Sequence, residues 1–200
     1  MRCLVEAVGT ARRLVLNAAA KVNLTLEVLG RRNDGYHEIA TVMQAVDLSD
    51  RLVLEDADVL ELRTTASDVP TDGTNLALRA AAALRDRAAE RRGARITLEK
   101  RIPVAAGLGG GSADAAAVLV GLNRLWGLRA GRASAWPRCA VTLGMDVPFF
   151  LRRRRGAGDR TRASGSSRWR RCALALVLVN PRVTVEHRRD VRRGARRRVL

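Results

Sequence analysis

Residues Pro103-Val104-Ala105-Ala106-Gly107-Leu108-Gly109-Gly110-Gly111-Ser112-Ala113 hold four glycines within the five positions from Gly107 to Gly111. A run with so few side chains lets backbone N–H groups converge on an anion. The alanine-rich continuation, Ala115-Ala116-Ala117, is a strong helix former whose N-terminal dipole favours negative charge. These residues predict a main-chain phosphate cradle, with Ser112 as the N-cap of the following helix. A glycine-rich turn ahead of an alanine-rich core helix is the other reading. The two common phosphate motifs do not fit. No lysine follows the glycines, as a Walker loop requires, and Ser112 stands where the third glycine of Gly-x-Gly-x-x-Gly belongs.

Three further groups could do chemistry. Lys21 and Asn23 alternate with Val22 and Leu24, so a strand would carry both polar side chains on one face, where they can reach a ligand together. A solvated polar strand face explains the same alternation. Tyr36, the only tyrosine, and His37 follow the turn Arg31-Arg32-Asn33-Asp34-Gly35, where an aromatic surface beside a hydrogen-bonding ring could hold a flat ligand or pack locally. Asp146 precedes the apolar segment Val147-Pro148-Phe149-Phe150-Leu151, which predicts a carboxylate held by neighbours or a ligand. A Gly-to-Pro turn is the plain alternative.

The elements that must position these groups follow from periodicity. Leu14, Leu16 and Ala18 predict one strand, and Lys21 to Val28 a second after a small-residue link. Short strands are expected at Leu52–Leu54 and Leu60–Leu62. A helix capped by Thr74 should carry Leu76, Leu78, Ala81, Ala82 and Leu84 inward, and a strand over Arg95–Leu98 should deliver the chain to the glycine loop. The helix after the loop should end near Gly127.

Composition bounds the class of protein. The 200 residues carry 37 Lys and Arg against 20 Asp and Glu, a net charge of +17. Residues 152–200 hold 17 of the basic residues, all arginine, and three acids, so the excess belongs to the tail and the rest is nearly balanced. Cys3, Cys139 and Cys172 form no Cys-x-x-Cys pair, which suggests neither a disulfide framework nor a zinc site. No segment approaches the roughly 20 apolar residues of a membrane span, and a cytoplasmic, untargeted protein is the expectation. A nucleic-acid binder acting through the arginine tail is a competing class. It leaves the glycine loop unexplained, and only Trp169 there offers a base a stacking platform.

Taken together, Ala20-Lys21-Val22-Asn23-Leu24, Arg32-Asn33-Asp34-Gly35-Tyr36-His37-Glu38, the loop from Pro103 to Ala113 and Gly144-Met145-Asp146-Val147-Pro148-Phe149-Phe150 resemble the 4-diphosphocytidyl-2-C-methyl-D-erythritol kinase family of the GHMP kinase superfamily. The glycine loop points to the superfamily, and Asp34 to Glu38 followed by Thr41 to Leu48 to this member. The resemblance implies an α+β fold: an N-terminal domain similar to domain 2 of ribosomal protein S5, with a C-terminal ferredoxin-like domain largely missing from this chain. It implies ATP-dependent phosphorylation of the 2-hydroxyl of the cytidine diphosphate substrate, a step of the non-mevalonate route to isoprenoid precursors. By the same resemblance Asp146 is the catalytic carboxylate and Lys21 its cationic partner, and Pro103 to Ala113 embrace the ATP phosphates with Mg²⁺ alongside. Asn75 falls near the ATP base, and Asn23, Tyr36 and His37 lie on the cytidine side. No dedicated metal cluster is visible in the sequence. Other superfamily kinases, acting on mevalonate or homoserine, are the nearest enzymatic rivals, and Tyr36-His37 argues against them.

The resemblance is continuous from Arg13 to Leu128 and returns for Ala140 to Leu151. The division expected is an extension at 1–12, an ATP-binding domain at 13–151 and an arginine-rich tail at 152–200, with a remnant of the second domain at 173–185. Between Arg129 and Cys139 the family pattern is lost, and Pro137 should break any helix there. Ala173 to Pro181 reads as a buried strand. Family-like and arginine-rich stretches alternating in this way point to a reading frame that slipped and recovered. Because the family's acceptor pocket uses both domains, the resemblance also implies low turnover for this chain.

Overall fold

Alternating burial along β2, Arg13–Arg31, starts the core: Leu14, Leu16, Ala18 and Ala20 are fully buried. The same period places Leu52 and Leu54 of β3 (His37–Ala57), Leu62 of β4 (Leu60–Thr64) and Ile96 and Leu98 of β5 (Gly93–Glu99) in one apolar layer. These strands come from a computed structural model that describes residues 5–9, 12–31, 37–128, 136–151 and 174–180. With β1, Val5–Gly9, they form a five-stranded sheet in the order β1-β2-β3-β5-β4, in which only the β4–β5 pairing is parallel.

One face of the sheet carries the helices α1, Leu76–Ala88, and α2, Gly110–Leu125. Every residue of α2 from Ala113 to Leu119 is buried, as expected of a helix enclosed on all sides rather than laid on a surface. Two short helices, α3 at Trp136–Leu143 and α4 at Val147–Leu151, complete the helical layer. The opposite sheet face is charged. Arg13 pairs with Glu55 at 3.3 Å, Arg63 with Glu61 at 3.1 Å, Arg95 with Glu61, and Arg51 with Glu99. This is the inward-apolar, outward-polar division of a sheet covered on one side.

Several expectations are corrected. The two strands read at Leu14–Ala18 and Lys21–Val28 are one strand, β2, and β3 runs for 21 residues where only Leu52–Leu54 was expected. Beyond Lys21 the apolar row leaves the core: Leu24 and Leu26 are about half exposed, because β1 pairs with β2 only as far as Ala18 and β5 reaches β3 only from Arg51. Residues 21–31 and 37–48 therefore form a two-stranded ribbon extending past the sheet. Asn75 rather than Thr74 caps α1, its Oδ1 accepting from Ala77 N at 2.9 Å, while Thr74 N donates to Asp72 Oδ1 in the preceding turn. Gly109 rather than Ser112 is the N-cap of α2. Pro137 does not break a helix but opens α3, in the first turn, where its missing N–H has no intrahelical acceptor to serve. Residues 174–180 are exposed and carry no strand pairing, against the buried strand expected there. The arginine-rich stretches 152–173 and 181–200 lie outside the described residues.

Candidate active site

The site is built where β2 leaves the packed sheet. Between the pairs Ala19–Ser49 and Lys21–Ala45 the ladder is irregular, with Val46, Asp47 and Leu48 standing opposite the single Ala20. Such irregularities re-aim side chains. Lys21, 5% exposed, lies against the start of α2, and its backbone N donates to the Leu108 carbonyl of the glycine loop at 2.9 Å. Strand and loop are thus joined at the position of the ammonium.

The loop is shaped by left-handed backbone at alternate positions. Ala105 (φ 56), Gly107 (φ 74) and Gly109 (φ 71) all have positive φ, a conformation that turns successive amides toward a common concavity. At Gly109 a side chain is excluded twice. Its φ disfavours one, and a Cβ would lie 3.0 Å from Lys21 Cγ and 3.2 Å from Phe150 Cζ. The first intrahelical bond of α2 runs from Ala113 N to Gly109 O at 2.9 Å, and no side chain caps the helix. The amides of Gly110, Gly111 and Ser112 are therefore the donors that a helix N-terminus offers to an anion. Val104 to Gly107 are exposed, so the approach is open.

Asp146 arrives from the other side. Its turn is closed by Val147 N donating to Gly144 O at 3.1 Å and Phe149 N to Asp146 O at 3.0 Å, and the buried Phe150 fixes it against Gly109. Lys21 Nζ stands 3.3 Å from Asp146 Oδ2 and donates to Asn23 Oδ1 at 3.3 Å. The Lys21 side chain is 7% exposed and that of Asp146 33%, so the ammonium is covered while the carboxylate keeps an open side. Residues 125 positions apart in the chain thus meet beside the mouth of the glycine loop. The arrangement couples an anion cradle, a carboxylate that can take a proton and a cation that orients it.

Of the other sequence candidates, Asn75 has both side-chain polar atoms engaged within the protein, Oδ1 in the α1 cap and Nδ2 donating to Pro70 O at 2.8 Å. The backbone of His37 pairs with Arg31 in the ribbon. Tyr36 and the side chain of His37 lie outside the described residues.

A cluster beneath the loop escaped the sequence reading. Asp50 of β3, fully buried, accepts from the backbone N of Arg101 at 2.6 Å and of Ile102 at 2.8 Å through Oδ1, and from Lys100 Nζ through Oδ2. The same ammonium donates to Asp114 Oδ2 of α2 at 3.0 Å, while Asp114 Oδ1 is buried without a partner. Burial, reinforced by the charge of Asp50 and opposed by Lys100, pushes the Asp114 carboxyl up to about 7. Burial alone would lower the Lys100 ammonium, but its two carboxylates outweigh this and raise it. One cation shared by two acids stays charged and leaves one acid undercompensated. Charged residues flanking a glycine loop so closely were the available signal in the sequence.

This fold and loop define a GHMP kinase N-terminal domain, and the family model of that description matches residues 75–154. Over about two thirds of its length the chain is homologous to enzymes named 4-diphosphocytidyl-2-C-methyl-D-erythritol kinase. It is 60% identical to the one from Symbiobacterium thermophilum over 137 residues, covering 66% of this chain and 47% of the relative, and 52% identical over 141 residues to that of a Synechococcus strain, covering 69% and 46%. A crystal structure of 4-(cytidine 5'-diphospho)-2C-methyl-D-erythritol kinase superposes with a TM-score of 0.57 at 46% identity, over 68% of this chain and 48% of that one. The chain spans about half the length of the curated relatives it matches. Among the described residues no helix is long and apolar enough to cross a membrane.

Proposed function

We propose that this chain binds ATP in the loop from Pro103 to Ala113 and transfers its γ-phosphoryl group to the 2-hydroxyl of 4-diphosphocytidyl-2-C-methyl-D-erythritol. The observation that carries the reading is the Lys21–Asp146 pair, 3.3 Å apart at the mouth of an uncapped helix N-terminus. Phosphoryl transfer asks a protein mainly for positioning and charge stabilisation. The hydroxyl oxygen forms the new bond to the γ-phosphorus, the bond to the β–γ bridging oxygen breaks, ADP leaves, and the hydroxyl proton passes to the Asp146 carboxylate. Lys21 holds that carboxylate and offsets charge on the transferring group. Asn23, bonded to Lys21, together with Tyr36 and His37, forms the cytidine side in this reading.

Magnesium would be held chiefly by the triphosphate. An ion of this kind keeps several waters and would take one or two protein oxygens beside the substrate phosphates. Asp146 and Ser112 would supply them, Ser112 Oγ lying 3.3 Å from where a Cβ of Gly144, in the turn before Asp146, would stand. When bound, the ion supplies neutralisation of the phosphate oxygens.

A substrate panel tests the assignment. With ATP and Mg²⁺, the cytidine compound should be phosphorylated and mevalonate and homoserine should not. Turnover of either of the latter without the cytidine compound refutes the proposed acceptor.

A further inference from the structure

Asp50, Lys100 and Asp114 stand apart from the reacting groups, with side chains 0%, 8% and 4% exposed, yet they bracket the glycine loop. Asp50 holds the amides of Arg101 and Ile102, the last residues before Pro103, and Asp114 lies in the first turns of α2, just past Ser112. Lys100 joins the two, and a Cβ at Gly110 would come within 3.0 Å of its Nζ, so the ammonium sits directly under the first residue of the helix.

Stability alone does not account for this cluster. Three desolvated charges are matched or bettered by apolar packing of the same volume, and the orphaned Asp114 Oδ1 adds to the cost. The loop between them has a need that apolar packing cannot meet. Its left-handed Ala105 costs free energy and persists only where flanking structure holds it.

We propose that the buried Asp50–Lys100–Asp114 cluster is a clasp that ties both ends of the phosphate loop to one ammonium, making the three positioning residues that set the opening of the ATP site. The proposal rests on reading the loop as an ATP site. Loosening the clasp frees the loop to depart from its anion-binding shape while Lys21 and Asp146 stay paired. Nucleotide affinity therefore falls more than the rate of transfer.

The test uses Asp114→Asn, which keeps the side-chain shape and removes one charge. Lys100→Met would strand two buried carboxylates and report on folding instead. In the nucleotide-free protein, amides 104–111 should exchange about tenfold faster in the variant, the scale of a charge-assisted hydrogen bond weakened to a neutral one, while the ladder amides of Val53 and Ile96 are not accelerated. With ATP as the probe, Kd and KM should rise about tenfold and kcat change less than about twofold. Unchanged loop exchange, equal acceleration in loop and ladder, or a fall in kcat at constant KM overturns the clasp. Failure of the unaltered protein to bind ATP overturns the ATP reading instead, and exchange in the free protein still decides whether the clasp exists.

Discussion

The two halves of the β2–β3 pair have similar apolar content and opposite fates. From Arg13 to Ala20 against Ser49 to Glu55, the leucines lie under α1 and α2 with almost no exposure. From Lys21 to Arg31 against His37 to Ala45, Leu26 and Leu29 are 54% and 56% exposed. What separates them is the reach of the neighbouring elements, since the two strands stay paired through both halves despite register shifts in the outer one. The proposed chemistry sits at the junction: Lys21 follows the last fully covered position, Ala20, with a packed layer behind it and an open face ahead. The proposed proton acceptor and phosphate cradle gain from this placement, because the packed half fixes the ammonium while the ribbon side leaves an open face.

Substitutions can break or sharpen this contrast. Leu52→Ala, in the covered half, should cost about 2–5 kcal/mol in urea unfolding through the cavity it leaves. Gly109→Ala, at the junction, should cost about 1–2 kcal/mol from its left-handed backbone, and ATP binding measured by calorimetry should weaken because Lys21 and Phe150 must shift.

The pH dependence of the packed half is set in part by Asp114. Its carboxyl, ordinarily near 3.8 and raised to about 7 in the fold, binds a proton that the unfolded chain has released between those values. The unfolded state then binds fewer protons, so this group's contribution to stability is present below about pH 4 and lost as pH rises through 7. Asp114→Asn should flatten that fall, a shift in urea midpoint between pH 5 and 8 on the order of one molar. Leu26→Ala, on the ribbon, should have the smallest effect, within about 0.5 kcal/mol. A large loss there would show that the exposed half is packed in solution.

The sequence made the glycine loop legible because its signal is local: missing side chains followed by alanine. Period two also set Lys21 and Asn23 on one face, and they are hydrogen-bonded to each other. What escaped had non-local causes. Thr41 to Leu48 shows no clean alternation because its ladder is irregular, which hid most of β3. The start of α2 was misplaced by three residues because Gly109 caps it through backbone conformation, which leaves no polar side chain to read. Asp50 and Lys100 stand fifty residues apart, and only the pairing of β3 with β5 brings them together.

Transfer of the γ-phosphoryl group from ATP to 4-diphosphocytidyl-2-C-methyl-D-erythritol, followed in single turnover for this chain and for Asp146→Asn, tests the role of the Lys21–Asp146 pair most directly. The expected result is measurable transfer that falls about 10²–10⁴-fold in the variant with ATP affinity nearly unchanged. Equal rates in the two proteins would contradict it.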